Sequence, residues 1–200
     1  MESKQDGCIV RTQYRKIQEV IMQYWKKIEL DNLEVIKQKS LDYIKTQTTH
    51  LDKSKYFGPF INLNRWKYIE YVPEVAESFK KHGLFFEDAN IFLMWNNKDC
   101  VPHKDYTDSI ARVNIPLLNC EGTFTTFYEN LKSKRLLLPT AVPFYVTMNK
   151  DYVEVDRMPF DSPAIVRISE GHSVIMNESN FPRITLSLSF NPDPGLLLDN

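Results

Sequence analysis

The sequence predicts a mainly β protein with helices near its N-terminus. Over residues 11–46 apolar side chains recur at three- and four-residue spacing, which is typical of amphipathic helices. Over residues 84–190 the pattern becomes short alternating runs separated by Asn, Asp, Gly and Pro, as in strands and turns. About eight consecutive strands favour a sandwich, jelly roll or barrel over alternating α/β units.

Composition favours one compact domain with a short appendage. The chain has 200 residues, is 42% hydrophobic and carries a formal net charge of -1, so it can bury a full core and has no overall field for nucleic acid. Its three cysteines are far apart and do not suggest a disulfide framework. No signal peptide or membrane-length apolar run is evident. We therefore expect a cytoplasmic protein that binds neither nucleic acid nor a membrane.

Residues 1–50 are predicted to form a helical segment that packs on a domain formed by residues 51–200. The first helix presents an apolar stripe of Tyr14, Ile17, Ile21, Tyr24 and Ile28. Asp31 and Glu34 suggest a capping box that starts a second helix. Buttressing of a sheet is the favoured role for these helices, and a homodimer contact is the alternative.

The rest of the chain divides into one helix and a series of strands. Pro73 suits a first helical position and Gly83 the residue after a helix end, so residues 73–82 are predicted as a third helix. A short strand is expected near residues 61–63. The later strands are predicted at 89–95, 110–118, 123–128, 143–148, 152–156, 164–168, 173–176 and 183–190. Residues 132–135 are expected in a solvated loop, and the residues after the last strand in a surface extension.

Two histidines and an aspartate form the most informative motif. His103 and Asp105 are two residues apart in an extended segment, so their side chains share a face. His172 begins a later strand. Two imidazoles and a carboxylate are the ligands of a facial triad that leaves positions open on non-haem iron(II). Manganese and zinc accept the same ligands, but the set does not resemble a structural zinc site.

The last strand carries a cation on a polar face. Arg183, Thr185, Ser187 and Ser189 alternate with apolar residues. Inside a hydrophobic barrel such a cation needs polar partners, and the guanidinium fork binds carboxylates bidentately. A solvent-facing strand with a surface arginine is the alternative.

Arg112 and Asn114 alternate with Val113 and Ile115 in the same way. They are candidates for the same cavity, where they would contact a carboxylate of a cosubstrate or substrate. A salt bridge on the outer face of the strand is an equally good interpretation.

Taken together, these motifs resemble the iron(II)- and 2-oxoglutarate-dependent oxygenases. The shared order is His-x-Asp, a distal His, an Arg eleven positions later and a hydroxyl residue two beyond it. The resemblance covers roughly residues 84–190 and implies a double-stranded β-helix core, which is jelly-roll or cupin-like. Residues 103–118 and the segments around His172 and Arg183 are similar to the aspartyl/asparaginyl β-hydroxylase and cis-proline hydroxylase branch.

The resemblance implies roles for the candidate residues. The triad would bind Fe(II). Arg183, helped by Thr185, would hold the distal carboxylate of the 2-oxoglutarate cosubstrate, and Arg112 would lie near its other end. Asn114, which stands where we expect a histidine in this branch, would contribute to the same cosubstrate contacts. The implied reaction uses O2 to hydroxylate an unactivated carbon of a free amino acid or peptide side chain, with release of succinate and CO2.

Two other classes remain open at this point. One is a non-catalytic β-sandwich that binds a carbohydrate or protein partner. The other is a cupin-like metalloenzyme that does not use 2-oxoglutarate. The intact triad argues against the first class, and Arg183 argues against the second.

Overall fold

The computed structural model describes residues 22–48, 60–94, 100–105, 107–137, 143–176 and 182–199. Over these residues most of the regular structure is strand, so the predicted mainly β class is confirmed. The helices are α1 (Leu33–Thr48), α2 (Arg65–Tyr71) and α3 (Pro73–Lys80). The strands are β1 (Trp25–Lys27), β2 (Phe60–Asn62), β3 (Phe85–Met94), β4 (Ala111–Leu118), β5 (Phe124–Glu129), β6 (Ser133–Leu137), β7 (Pro143–Thr147), β8 (Val153–Pro159), β9 (Ala164–Arg167), β10 (Gly171–Ile175) and β11 (Arg183–Asn191).

Two antiparallel sheets face each other. The larger has the order β1-β9-β4-β11-β3-β2, the smaller has the order β10-β5-β8, and β6 with β7 forms a separate hairpin. Phe127 and Met158 of the small sheet pack against Ala164 and Val166 of the large one. These contacts identify the inner face of the large sheet, which is the face turned toward the small sheet.

The outer face of the large sheet is covered by the helices. Its apolar side chains, among them Ile91, Ile115 and Leu186, join α1, α2 and α3 in one core cluster. On β11 the residues that alternate with Arg183 belong to this cluster, as the sequence pattern predicted. Because side chains on a strand alternate between faces, the polar residues of β11 lie on the inner face.

The N-terminal prediction is partly wrong. Residues 11–21 of the predicted first helix lie outside the described residues, but its end is not helical: Trp25 pairs with Val166 in β1 and β9. The second helix is confirmed as α1. Instead of serving as the predicted cap, the Asp31 carboxylate accepts a hydrogen bond from Lys81 Nζ at 2.6 Å. Because α1 packs against β4, its buried face supports the sheet, and dimerisation through the N-terminal helices stays a prediction.

The predicted strands and third helix are present with small shifts of their ends. The expected loop at residues 132–135 is wrong, because Ser133–Leu137 pairs with Pro143–Thr147. Helix α2 was not predicted. The C-terminal extension is also not a surface segment, since it forms a 3₁₀ helix, Leu198 is buried and Asp199 pairs with Arg167. Among the described helices, none combines the length and apolarity that crossing a membrane requires.

Candidate metal centre

Backbone pairing places His103 beside His172. The amide of each residue donates a hydrogen bond to the carbonyl of the other, both at 2.8 Å. His172 lies in β10, opposite Phe127 of β5, and the Asp105 amide donates to the Ile168 carbonyl at 3.1 Å. Because these bonds fix both segments, two motifs far apart in sequence present their side chains to one point.

The three predicted ligands form a compact cluster. One ligand atom from each of His103, Asp105 and His172 lies within 4.8 Å of the others. Asp105 Oδ1 is 3.3 Å from His103 Nε2 and 4.0 Å from His172 Nε2. The structure therefore brings together the residues that sequence spacing selected.

The outer nitrogens of both imidazoles contact backbone carbonyls. His103 Nδ1 is 2.7 Å from the Val101 carbonyl oxygen, and His172 Nδ1 is 3.0 Å from the Glu170 carbonyl oxygen. A carbonyl oxygen only accepts, so each Nδ1 carries a proton and donates it. Each Nε2 is thereby directed to the cluster, as in metal-binding histidines whose second nitrogen is held by a carbonyl.

The electrostatics of the cluster favour a shared proton when no metal is bound. Burial alone lowers the pKa of His103, but its hydrogen bonds with Asp105 and Cys100 raise that pKa to about 10. Burial raises the pKa of Asp105, but the hydrogen bond from His103 and the charge of His172 lower it by more. The pKa of Asp105 is therefore below its ordinary value. The pKa of His172 is lowered by burial and by the neighbouring His103. A metal ion would therefore displace one proton, which the cluster keeps on His103.

The donor set fits a divalent transition metal. It offers two imidazole nitrogens and one carboxylate from adjacent positions, and three protein ligands leave coordination sites for other molecules. Iron(II), manganese(II) and zinc(II) all accept this set. The three donor residues alone therefore do not select one of these metals.

Arg183 is a buried cation without an anionic partner among the described residues. Arg183 is only 3% exposed to solvent. Its Nε donates to Thr123 Oγ1 at 3.3 Å, its Nη1 contacts Met94 Sδ at 3.7 Å, and its guanidinium lies 4.9 Å from the centre of the Phe160 ring. Burial lowers the pKa of Arg183. Because a buried unpaired charge is costly, this arrangement is suited to an anionic ligand.

Arg183 lies on β11 of the large sheet and His172 on β10 of the small sheet, so both belong to the region between the two sheets. Cys100 contacts the cluster, with its Sγ 3.7 Å from His103 Nδ1. Thr185 follows on the same face of β11, with its Oγ1 3.9 Å from Cys120 Sγ. The partners Thr123 and Phe160 were not found by sequence reasoning, because nothing in their local pattern distinguishes them from core residues.

Arg112 and Asn114 lie on the inner face, and Arg112 also forms a salt bridge there with Asp88, as the alternative interpretation expected on the outer face. Arg112 Nε donates to Ser187 Oγ at 3.0 Å, its Nη2 donates to the Ser187 carbonyl at 3.3 Å, and the same Nη2 is 3.7 Å from Asp88 Oδ2. Burial lowers the pKa of Arg112, whereas the charges of Asp88 and Asp105 oppose that shift. Arg112 thus interacts electrostatically with Asp105 and is already held by Ser187 and Asp88.

Comparisons with known proteins identify structural relatives only. No protein-family model matches the sequence, and no curated protein matches it either. The fold is similar to that of the apo form of the non-heme monooxygenase ThoJ, with a TM-score of 0.52 and 10% identity over 84% of this chain and 73% of that chain. It is also similar to the non-heme alpha ketoglutarate dependent carbocyclase SnoK from nogalamycin biosynthesis, with a TM-score of 0.50 and 12% identity over 88% of this chain and 86% of that chain. At these identities the similarity shows the fold alone.

Proposed function

We propose that the chain is an iron(II)- and 2-oxoglutarate-dependent dioxygenase built on a double-stranded β-helix. The strand order supports this fold, because β3, β4, β9 and β11 lie in one sheet while β5, β8, β10 and the His103 segment lie in the facing one. Similarity to non-heme enzyme structures supports the same fold. The function is argued from the site.

The main support for this function is the buried guanidinium of Arg183 on the inner face of the large sheet, opposite the small sheet that carries His172. A triad alone suits several kinds of metalloenzyme. A buried cation without an acidic partner among the described residues, on the face turned toward the small sheet, adds a requirement for an anion. 2-Oxoglutarate meets both requirements, since its oxo-acid end chelates a metal and its other end is a carboxylate.

Each residue then has a defined task. His103, Asp105 and His172 would hold iron(II) through their clustered donor atoms, and Arg183 with Thr185 would bind the distal carboxylate. The bound iron, with 2-oxoglutarate and O2, supplies the oxidising chemistry that hydroxylates an unactivated carbon and yields succinate and CO2. Phe160 covers the guanidinium, and exclusion of water there strengthens its attraction for a carboxylate.

Arg112 would stay close to the oxo-acid end of the cosubstrate. The charge of Asp105 reaches it, and its bonds to Ser187 fix the guanidinium in place. A positive group held there favours a carboxylate bound at the metal. The substrate we propose is a free amino acid or a peptide side chain, which is the substrate class of the hydroxylase branch that the motifs resemble.

Metal-dependent binding of 2-oxoglutarate tests this function. We expect calorimetric titration under anaerobic conditions to give a binding isotherm with Fe(II) present and none after chelation. His172→Ala should abolish the metal-dependent binding, whereas His82→Ala, a change of the same type at a histidine outside the cluster, should retain it. Metal binding without 2-oxoglutarate binding would instead indicate the cupin-like metalloenzyme. Binding of neither would indicate the non-catalytic module.

A further inference from the structure

Three polar side chains lie side by side on neighbouring strands, on the inner face of the large sheet. Backbone pairing sets Ser187 of β11 opposite Asn90 of β3 on one side and Asn114 of β4 on the other. Residues directly opposite each other in antiparallel strands present their side chains to the same face. We call Asn90, Ser187 and Asn114 the polar row.

The polar row is separate from the proposed carboxylate site at Arg183. Ser187 follows Arg183 by four residues along β11, which corresponds to roughly 13 Å of strand. The row adjoins Arg112, whose Nε donates to Ser187 Oγ at 3.0 Å. The row therefore lies beside Arg112, on the same inner face as Arg183 but further along β11.

Two acceptors of the row are buried without a described partner. The side-chain oxygens Asn90 Oδ1 and Asn114 Oδ1 are both inaccessible and form no hydrogen bond with the described residues. Asn90 as a whole is only 4% exposed. Its amide orientation is fixed, because Nδ2 donates to Asp88 Oδ2 at 3.2 Å. Buried acceptors that lack a donor are costly, so the row is suited to donor groups supplied by a ligand.

The charge around the row selects the kind of donor. Asp88 is bonded to Asn90, and its only described cationic neighbour, Arg112, is 3.7 Å away and is shared with Ser187. The row thus combines two amide oxygens with a nearby carboxylate. A protonated primary amine supplies a positive charge and three donors, whereas a hydroxyl supplies one donor and no charge.

We propose that the polar row, together with Asp88, is a subsite that binds a protonated primary amine of the substrate. This inference rests on the proposed function, since it adds substrate specificity to the same inner face of the large sheet. It makes Asn90 and Asn114 determinants of specificity for the substrate, and so gives Asn114 a different role from the cosubstrate contact predicted from the sequence. It restricts the substrate to molecules that carry a primary amine.

A paired ligand panel tests the subsite. Holoprotein containing Fe(II) and 2-oxoglutarate would be titrated anaerobically with L-leucine, L-phenylalanine, L-lysine, glucosamine and 1,4-diaminobutane. Each amine would be compared with the analogue in which hydrogen or hydroxyl replaces one amine. We expect at least one amine to bind about 10-fold or more tightly than its analogue, since hydrogen bonds to a charged group favour binding by about one to two powers of ten.

Variants assign that preference to the row. Asn90→Leu and Asn114→Leu each remove an acceptor at nearly constant volume, and we expect both to abolish the preference for the amine. Asn114→Asp keeps the oxygen acceptor and should retain it. Gln38→Leu makes the same chemical change on the exposed face of α1 and should also retain it. Unfolding curves for each variant establish which of the two leucine variants is folded and therefore informative.

The outcomes separate this inference from the proposed function. If no amine of the panel is preferred to its analogue, or if the preference survives in a folded leucine variant, the subsite is refuted and the row holds structural water. The Fe(II) and 2-oxoglutarate titration needs no substrate, so its failure would count against the dioxygenase alone. In that case the same panel applied to the untreated protein would still decide whether the row binds amines.

Discussion

Replacement of Arg183 by Met should stabilise the free protein and abolish cosubstrate binding. The guanidinium is buried beside the Thr123 hydroxyl and the Phe160 ring, with no acidic partner among the described residues. The ring contact contributes about 2 kcal/mol and the hydrogen bond about 1.5–3 kcal/mol, against a desolvation cost of several kcal/mol. Met is apolar and of similar length, so we expect the free energy of unfolding to rise by about 1–2 kcal/mol.

The same substitution removes the proposed partner of the distal carboxylate. Truncation of one member of a buried charge pair costs about 2–5 kcal/mol of binding free energy, so the Kd for 2-oxoglutarate should rise by about 30-fold or more. For a chain of this length the stabilisation corresponds to a Tm increase of roughly 2–8 °C. Melting curves would be recorded with chelator present, and the Kd would be measured anaerobically with Fe(II).

Arg167 provides a matched control for this experiment. It is also a buried arginine, at 8% exposure, but it has a carboxylate partner in Asp199 and donates to the Gln23 carbonyl at 3.1 Å. Arg167→Met should therefore destabilise the protein and leave the Kd for 2-oxoglutarate unchanged. If Arg183→Met instead lowers the Tm and retains 2-oxoglutarate affinity, the guanidinium stabilises the fold and does not bind the cosubstrate.

Three further predictions concern the metal cluster and its support. Alanine at His172 should lower iron(II) affinity by at least about 100-fold, since one of three ligands is lost; equilibrium dialysis measures this, and unchanged affinity would exclude His172 as a ligand. In metal-free protein the contribution of His103 to stability should be complete below its ordinary pKa of 6.5 and lost as pH rises through about 10. The destabilisation caused by Asp105→Asn, measured by urea unfolding with chelator, should therefore shrink from pH 6 to pH 10, and a constant difference would contradict the His103–Asp105 pairing. Gly171→Ala should cost about 1–3 kcal/mol, because the new Cβ would lie 2.8 Å from Leu131 Cβ and from a backbone oxygen; an unaltered unfolding curve would show that this contact relaxes.

The candidate metal ligands were predictable because the relevant signal is local. Two residues separated by one position in an extended segment share a face, so His103 and Asp105 identify each other from sequence alone. His172 was identified from its position at the start of a strand and from the arginine that follows it. The alternation on β11 likewise placed Arg183 on one face with Thr185 and Ser187, but it could not show that this face is buried or that Arg183 has no acidic partner among the described residues.

The structural features that the sequence did not predict depend on contacts between distant segments of the chain. Tyr24 and Trp25 match a helical stripe, but Trp25 lies in a strand because β1 pairs with β9 and both side chains pack against the cluster between the sheets. This is a case in which tertiary contacts outweigh local periodicity. The charged residues of β6 gave no strand pattern, and pairing with β7 makes that segment extended. Asn90 resembles any polar residue of an alternating strand until the register places it beside Ser187.

We propose that the chain binds iron(II) and 2-oxoglutarate at the same site. Anaerobic addition of Fe(II) and then 2-oxoglutarate to the purified protein, with the visible spectrum recorded beside that of Arg183→Ala, tests this claim. We predict a weak charge-transfer band from the chelated iron and oxo acid, and a weakened or absent band in the variant at the same 2-oxoglutarate concentration. Folded wild-type protein that binds Fe(II) and gives no band at saturating 2-oxoglutarate would contradict the claim.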